Sequence, residues 1–185
     1  MSPTGRSRIW FVAALGAFAF LSWLSLGGSR PVMRQLIKTE TKGMLSVAPE
    51  TIDHVVIASS AGERRYSRSS GGWRDDIRKR QLDAADAHRL EIAVKILRTS
   101  PPVRAMTPAE VGSAPLSDFG LDPPKAVVTL YDHSTERMRL DLGKSNPQSM
   151  LRYARVNGTP GVLIYSGFVG EEWETVAGLA PPVVR

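Results

Sequence analysis

From Ile9 to Leu26 the chain reads IWFVAALGAFAFLSWLSL, eighteen residues without a charge. At about 1.5 Å rise per residue a helix of that length is roughly 27 Å long, close to the ~30 Å hydrocarbon core of a bilayer. Trp10 and Trp23 stand near its two ends, where indole rings favour the headgroup region, so a transmembrane helix is expected. Ala13 and Ala17, four apart with Gly16 beside them, would let a second membrane helix approach closely. The competing reading is a cleaved secretory signal, whose apolar core ordinarily spans only about 7–15 residues. Ser25-Leu26-Gly27 is the nearest small-x-small site for such cleavage.

After Gly27-Gly28-Ser29-Arg30-Pro31 breaks the apolar run, the pattern changes period. Residues 27–49 read as a juxtamembrane linker or interfacial helix. Ile52 to Ile57 is rich in β-branched residues and predicts a strand; Ala61-Gly62 and Ser69-Ser70-Gly71-Gly72 supply turns around a second strand at Tyr66, and Trp73 opens a third. Asp83 then precedes a helical stripe of Leu90, Val94 and Leu97, widened by Ile92 and Ile96 and stopped by Ser100-Pro101-Pro102. A proline- and glycine-rich stretch follows over 103–124, with a one-turn helix at Thr107-Pro108-Ala109-Glu110.

The same grammar then recurs. Strands are predicted at Lys125–Tyr131, Arg137–Leu142, Arg152–Val156 and Gly161–Tyr165, with a tight Asn157-Gly158 turn between the last two. Ser166 is placed to cap a final helix carrying Val169, Trp173 and Val176 at i, i+4 and i+7. Neither half has enough residues for a robust core alone. The expected fold class is therefore α+β: an N-terminal transmembrane helix, then one module of two related strand-rich halves, each ending in a helix. The implied organisation is a basic leader 1–8, the span 9–26, the linker 27–49, an extracytoplasmic domain 50–178 and a tail 179–185.

Composition adds limits. Hydrophobic residues at 42% against 23% charged argue for a folded chain, and the absence of cysteine removes disulfides and thiolate metal sites. The net charge of +6 is uneven. Residues 1–50 carry six basic against two acidic side chains, and residues 63–80 carry seven against three. The latter seven, Arg64, Arg65, Arg68, Arg74, Arg78, Lys79 and Arg80, form a candidate basic interaction surface that would attract an acidic protein or anionic lipid headgroups. A basic leader and a large folded domain after the first apolar segment suggest an inside N-terminus and an outside domain.

The run Phe119-Gly120-Leu121-Asp122-Pro123-Pro124, then Ala126–Leu130, Leu140-Asp141-Leu142-Gly143-Lys144, Tyr153-Ala154-Arg155 and Val162–Tyr165, resembles a bacterial domain-of-unknown-function family. Its members look like membrane-tethered extracytoplasmic proteins, some linked to the auxiliary component of gliding-motility-type transporters. The resemblance implies an α+β fold and a membrane-associated accessory role, with a single copy of the unit here and no catalytic residue to carry over. Read physically, Gly120 permits positive φ or close approach, Leu121 plugs a core, and Pro123 and Pro124 hold the chain extended before the next strand. Gly143 and Trp173 join these as structural positions.

No spacing nominates chemistry. His54, His88 and His133 lack the HxxH or HExxH pattern of a metal site and are expected at a strand edge, on a helix surface and in a turn. Gly143-Lys144-Ser145 lacks the upstream glycine of a phosphate loop, and no serine sits in a nucleophile elbow. Glu171, Glu172 and Glu174 are expected to face solvent. No catalytic, cofactor or metal residue is assigned, and neither nucleic acid nor a small-molecule substrate is expected. The sequence reading is thus a non-catalytic single-pass accessory subunit in a bacterial inner membrane, docking on a larger transporter or energy-converting complex. The alternative is a periplasmic ligand-binding or assembly factor.

Overall fold

The computed structural model describes residues 43–179 and the single helical position Leu15. The chain divides into two compact units, Met1–Thr39 and Glu40–Arg185. Apart from Leu15, the expected span 9–26 lies outside the described residues, and with it Trp10, Ala13, Gly16, Ala17 and Trp23. No helix among the described residues is long and apolar enough to cross a membrane.

The second unit is built on one nine-stranded antiparallel sheet. Its strands are β1 (His54–Ser59), β2 (Gly62–Ser69), β3 (Gly72–Asp75), β4 (Arg80–Gln81), β5 (Arg104–Met106), β6 (Ala126–Asp132), β7 (Thr135–Ser145), β8 (Leu151–Val156) and β9 (Val162–Ser166). They lie in the order β4-β3-β2-β1-β6-β7-β8-β9-β5. The two expected halves are thus joined edge to edge, with β1 and β6, the first strand of each, paired at the centre from His54↔Tyr131 to Ser59↔Ala126. Each half meanders outward from that seam, so an approximate twofold axis runs through the sheet between β1 and β6.

Three α-helices stand with the sheet among the described residues: α1 (Ala84–Thr99), the one-turn α2 (Pro108–Val111) and α3 (Gly167–Val176). Asp83 caps α1 by accepting from the Asp86 N–H at 2.8 Å, and the stripe Leu90, Ala93, Val94, Ile96 and Leu97 is buried. Burial of the four branched side chains in that stripe contributes on the order of 6–12 kcal/mol before chain entropy is subtracted. Thr107 and Glu110 form a reciprocal capping box on α2. The Ser166 side chain makes no cap bond to α3. Instead the Gly167 N–H donates to the Met150 carbonyl, and the β7–β8 loop takes the place of a cap.

Helices α1 and α3 pack together over one face of the sheet. Strand alternation sends Val55, Ile57, Tyr66, Trp73, Val128, Leu130, Leu140 and Tyr165 into that interface. Leu45, fully buried, belongs to the same core, tied by its N–H to the Leu97 carbonyl at the end of α1. A second, smaller core of Phe119, Leu121 and Val162 lies on the opposite face, where the 103–124 segment folds back over β8 and β9. Phe119 and Tyr153 meet there edge to face at 5.2 Å.

Contact between its two most distinctive stretches explains the motif. Gly120 is left-handed at φ 65°, and a Cβ on it would stand 2.8 Å from the Lys144 N. A Cβ on Gly143 would stand 2.4 Å from the Phe119 oxygen and 2.9 Å from the Tyr153 oxygen. Leu121, 3% exposed, packs beside Gly143 and bridges to Pro124, with the Asp122-Pro123 peptide cis. The glycines are therefore where two backbones touch.

Candidate functional site

The seven basic residues of 64–80 do not form one surface. Because β2 and β3 alternate, Arg64 and Arg68 point toward the helices with Tyr66, whereas Arg65 and Arg74 point to the open face. Arg65 pairs with Glu63. Arg68 is structural: it stacks 4.5 Å over the Trp73 ring, pairs with Glu91 of α1 at 2.9 Å, and donates to the Ile52 carbonyl. Lys79 occupies the β3–β4 turn at φ 53°.

Arg64, Arg78 and Arg80 do converge, and α1 adds Arg89, which the linear pattern does not single out. Together with Tyr66, Asp75, Leu82, Asp86, Leu90, Thr175 and Val176 they line a cleft of about 50 Å³ where β2–β4 meet the start of α1 and the end of α3. The buried Asp75 carboxylate is largely spent on the turn, accepting from the Ile77 and Arg78 N–H groups at 3.1 and 2.9 Å, with the Arg78 guanidinium 3.8 Å away. Among the described residues, Arg64, Arg80 and Arg89 have no carboxylate partner. The Arg64 guanidinium donates only a long 3.5 Å bond to the Tyr66 hydroxyl. It lies over Gly178 at the end of α3, where a Cβ would be 1.9 Å from its Nη2.

The twofold relation between halves sharpens this point. Arg64 pairs with Ile57, and the corresponding pair in the second half is Met138 with Leu130. Tyr66 and Arg68 similarly match Leu140 and Leu142. Where β7 turns three apolar side chains to the helices, β2 turns Arg, Tyr and Arg. Arg68 has its structural partners; Arg64 has the cleft.

Elsewhere, Glu174 departs from the solvent exposure expected of it. It is 6% exposed beneath α3 and pairs with Lys125 at 2.9 Å and Arg152 at 3.5 Å, because α3 lies along β8 with this position turned inward. Trp173, fully buried beside it in α3, and Tyr165 opposite Arg152 have no hydrogen-bond partner for Nε1 and hydroxyl among the described residues.

On the open face, Asp53 gathers two histidines. Its carboxylate is 2.8 Å from the His54 Nδ1 and 2.6 Å from the His133 Nδ1, and it accepts the His133 N–H at 2.8 Å. Partial desolvation pushes Asp53 up, but these hydrogen bonds outweigh it and bring the carboxyl from 3.8 to about 2. The same bond to Asp53, then the charges of Asp53 and Asp132, raise His133 above its ordinary value. An open groove of about 540 Å³ adjoins them, lined by Val56, Arg65, Asp76 and Tyr131. His54 begins β1, His88 is exposed on α1 and His133 sits in the β6–β7 turn. Asp53 was missed in the linear reading; the repeated Asp-His pairs at 53–54 and 132–133 are the available signal. Among the described residues no three His, Asp or Glu side chains are placed to hold a metal ion.

The fold and cleft define an α+β module with a charged recess at one end of a helix-covered sheet. Residues 93–175 match the model of a family described only as a domain of unknown function, DUF4340, so that domain covers part of the chain. The match takes in the second half of the sheet and leaves β1–β4, and with them most of the arginine cleft, outside it. No curated protein matches the chain, and no solved structure does.

Proposed function

We propose that this chain is a non-catalytic binding module, a ligand-binding or assembly factor working beside a bacterial membrane on its extracytoplasmic side. The observation that carries it is the set of guanidiniums at Arg64, Arg80 and Arg89, held around one recess with, among the described residues, no carboxylate within ion-pair distance. Arg64, half-buried at the margin of the core, costs stability there that an apolar residue, like Met138 in the other half, would not. That cost makes sense if a negatively charged group on a partner completes the site.

The second reading, a single-pass subunit docked on a larger transporter or energy-converting complex, rests on the apolar stretch Ile9–Leu26. A membrane anchor would add to a weak charged contact by raising its effective concentration. A link to gliding-motility-type transporters rests on the resemblance alone.

The test is purification of the tagged full chain in gentle detergent across a range of ionic strengths, with identification of what accompanies it. A specific companion whose recovery falls as salt rises supports the proposal. Recovery of nothing at low salt, or of a companion indifferent to salt, refutes it.

A further inference from the structure

We infer that the arginine cleft is a phosphate site: it takes one phosphate group, as inorganic phosphate or as the phosphomonoester of a lipid headgroup. The inference rests on the binding-module reading and names its ligand.

Size comes first. A cavity needs about 10–15 Å³ to hold one water, so the cleft's volume of about 50 Å³ is that of roughly four waters. That suits a single oxyanion group.

Charge comes second. The cleft is lined by Arg64, Arg78, Arg80 and Arg89 against Asp75 and Asp86, leaving two positive charges uncompensated. A phosphomonoester carries about −1.5 to −2 at neutral pH, whereas a carboxylate carries only one charge.

Geometry comes third. The guanidiniums arrive from four places: Arg64 from β2, Arg78 from the β3–β4 turn, Arg80 from β4 and Arg89 from α1. One guanidinium fork already satisfies a planar carboxylate, while a tetrahedral phosphate has three terminal oxygens to present to donors from separate directions. One oxygen of Asp75 is engaged by the Ile77 and Arg78 N–H groups, and the other lies 3.8 Å from the Arg78 guanidinium. Arg64 completes the argument, since its counterpart in the other half is the buried Met138.

Calorimetric titration of the purified full chain in detergent, at constant ionic strength, tests this with two probes: inorganic phosphate and dihexanoyl phosphatidate, against dihexanoyl phosphatidylcholine as a control. Arg89→Gln and Arg80→Gln lie at the surface of the cleft and should leave the circular dichroism spectrum unchanged; Arg64→Gln reaches deeper. Each is expected to weaken binding at least about tenfold, the loss of one charge-assisted hydrogen bond, while Arg74→Gln on the opposite face changes nothing. Tighter binding of phosphatidate than of phosphate assigns the site to a lipid headgroup, and equal or weaker binding assigns it to free phosphate. Binding of neither probe, or binding that Arg89→Gln and Arg80→Gln leave intact, overturns the inference. If phosphate fails while a companion's recovery stays salt-sensitive, only the ligand assignment falls. If phosphate binds and recovery ignores salt, the partner reading falls and the site remains.

Discussion

Gly143→Ala places the sharpest demand on the motif contact. The added Cβ would lie 2.4 Å from the Phe119 oxygen, 2.9 Å from the Tyr153 oxygen and 3.2 Å from a Leu121 methyl. Ordinary contact begins near 3.4 Å, so the first gap falls short by about 1 Å. Both oxygens are backbone atoms; Tyr153 lies in β8, and Phe119 ends the 3-10 turn Leu116–Phe119. Neither can swing aside as a flexible side chain would. Overpacking of a formed core costs about 1–3 kcal/mol, and a rigid neighbour puts this change at the upper end. For a unit of this size roughly 4 °C per kcal/mol is expected, hence a fall in Tm of about 10 °C. Urea denaturation followed by tryptophan fluorescence gives the free energy directly. Gly62→Ala is the comparison: its φ is 107° but nothing lies within 4 Å, so it carries only a backbone cost of about 1 kcal/mol. Equal stability of Gly143→Ala and the native chain would refute the reasoning that the two stretches meet backbone to backbone.

Three further outcomes are expected. Tyr165→Phe removes a buried hydroxyl that has no partner among the described residues and should raise stability by about 1 kcal/mol in the same assay; a loss of that size would mean the hydroxyl is bonded in solution. Glu91→Ala strands the Arg68 guanidinium and the Trp73 Nε1, which donates to Glu91 at 3.0 Å, and should cost about 2 kcal/mol by urea midpoint, with a near-zero change contradicting it. The Asp53–His133 pair gives a pH window. Asp53, held down to about 2, contributes above its unfolded value near 3.9 and loses this as pH falls through 2. His133, raised, contributes fully below its unfolded value near 6.5 and loses this as pH rises through its folded value. The stability gap between the native chain and His133→Gln should therefore be widest between about pH 4 and 6.5 and narrow on both sides; a gap independent of pH would contradict it.

Local periodicity carried much of the fold. The β-branched alternation of β1 and β6, the Leu90-Val94-Leu97 stripe and the Asp83 cap are each decided within a few residues, and each stands where its pattern put it. The joining of the two halves was not legible, because the β1–β6 register depends on residues some seventy positions apart. Asn157-Gly158 shows a smaller limit of the same kind. It begins a five-residue connection between β8 and β9, and Asn157 is bound instead to β7, accepting from the Arg139 N–H and donating to Glu136.

The candidate site followed the same division. A run of arginines marked the right stretch, but alternation sorted Arg65 and Arg74 away from Arg64, and only tertiary packing brought Arg89 to it. Glu174 looked like a solvated helix residue because its partners, Lys125 and Arg152, come from the start of β6 and from β8 rather than from its own turn.

Binding through the cleft requires that the opposite face of the sheet stay silent. The direct measurement is recovery of the chain's companion at low salt by two variants of equal charge change, Arg64→Gln/Arg89→Gln in the cleft and Arg65→Gln/Arg74→Gln on the open face. The prediction is loss of recovery, and of its salt dependence, for the first pair alone. Equal loss from both pairs would reduce the effect to net charge, and loss from the second pair alone would place the interaction on the wrong side of the sheet.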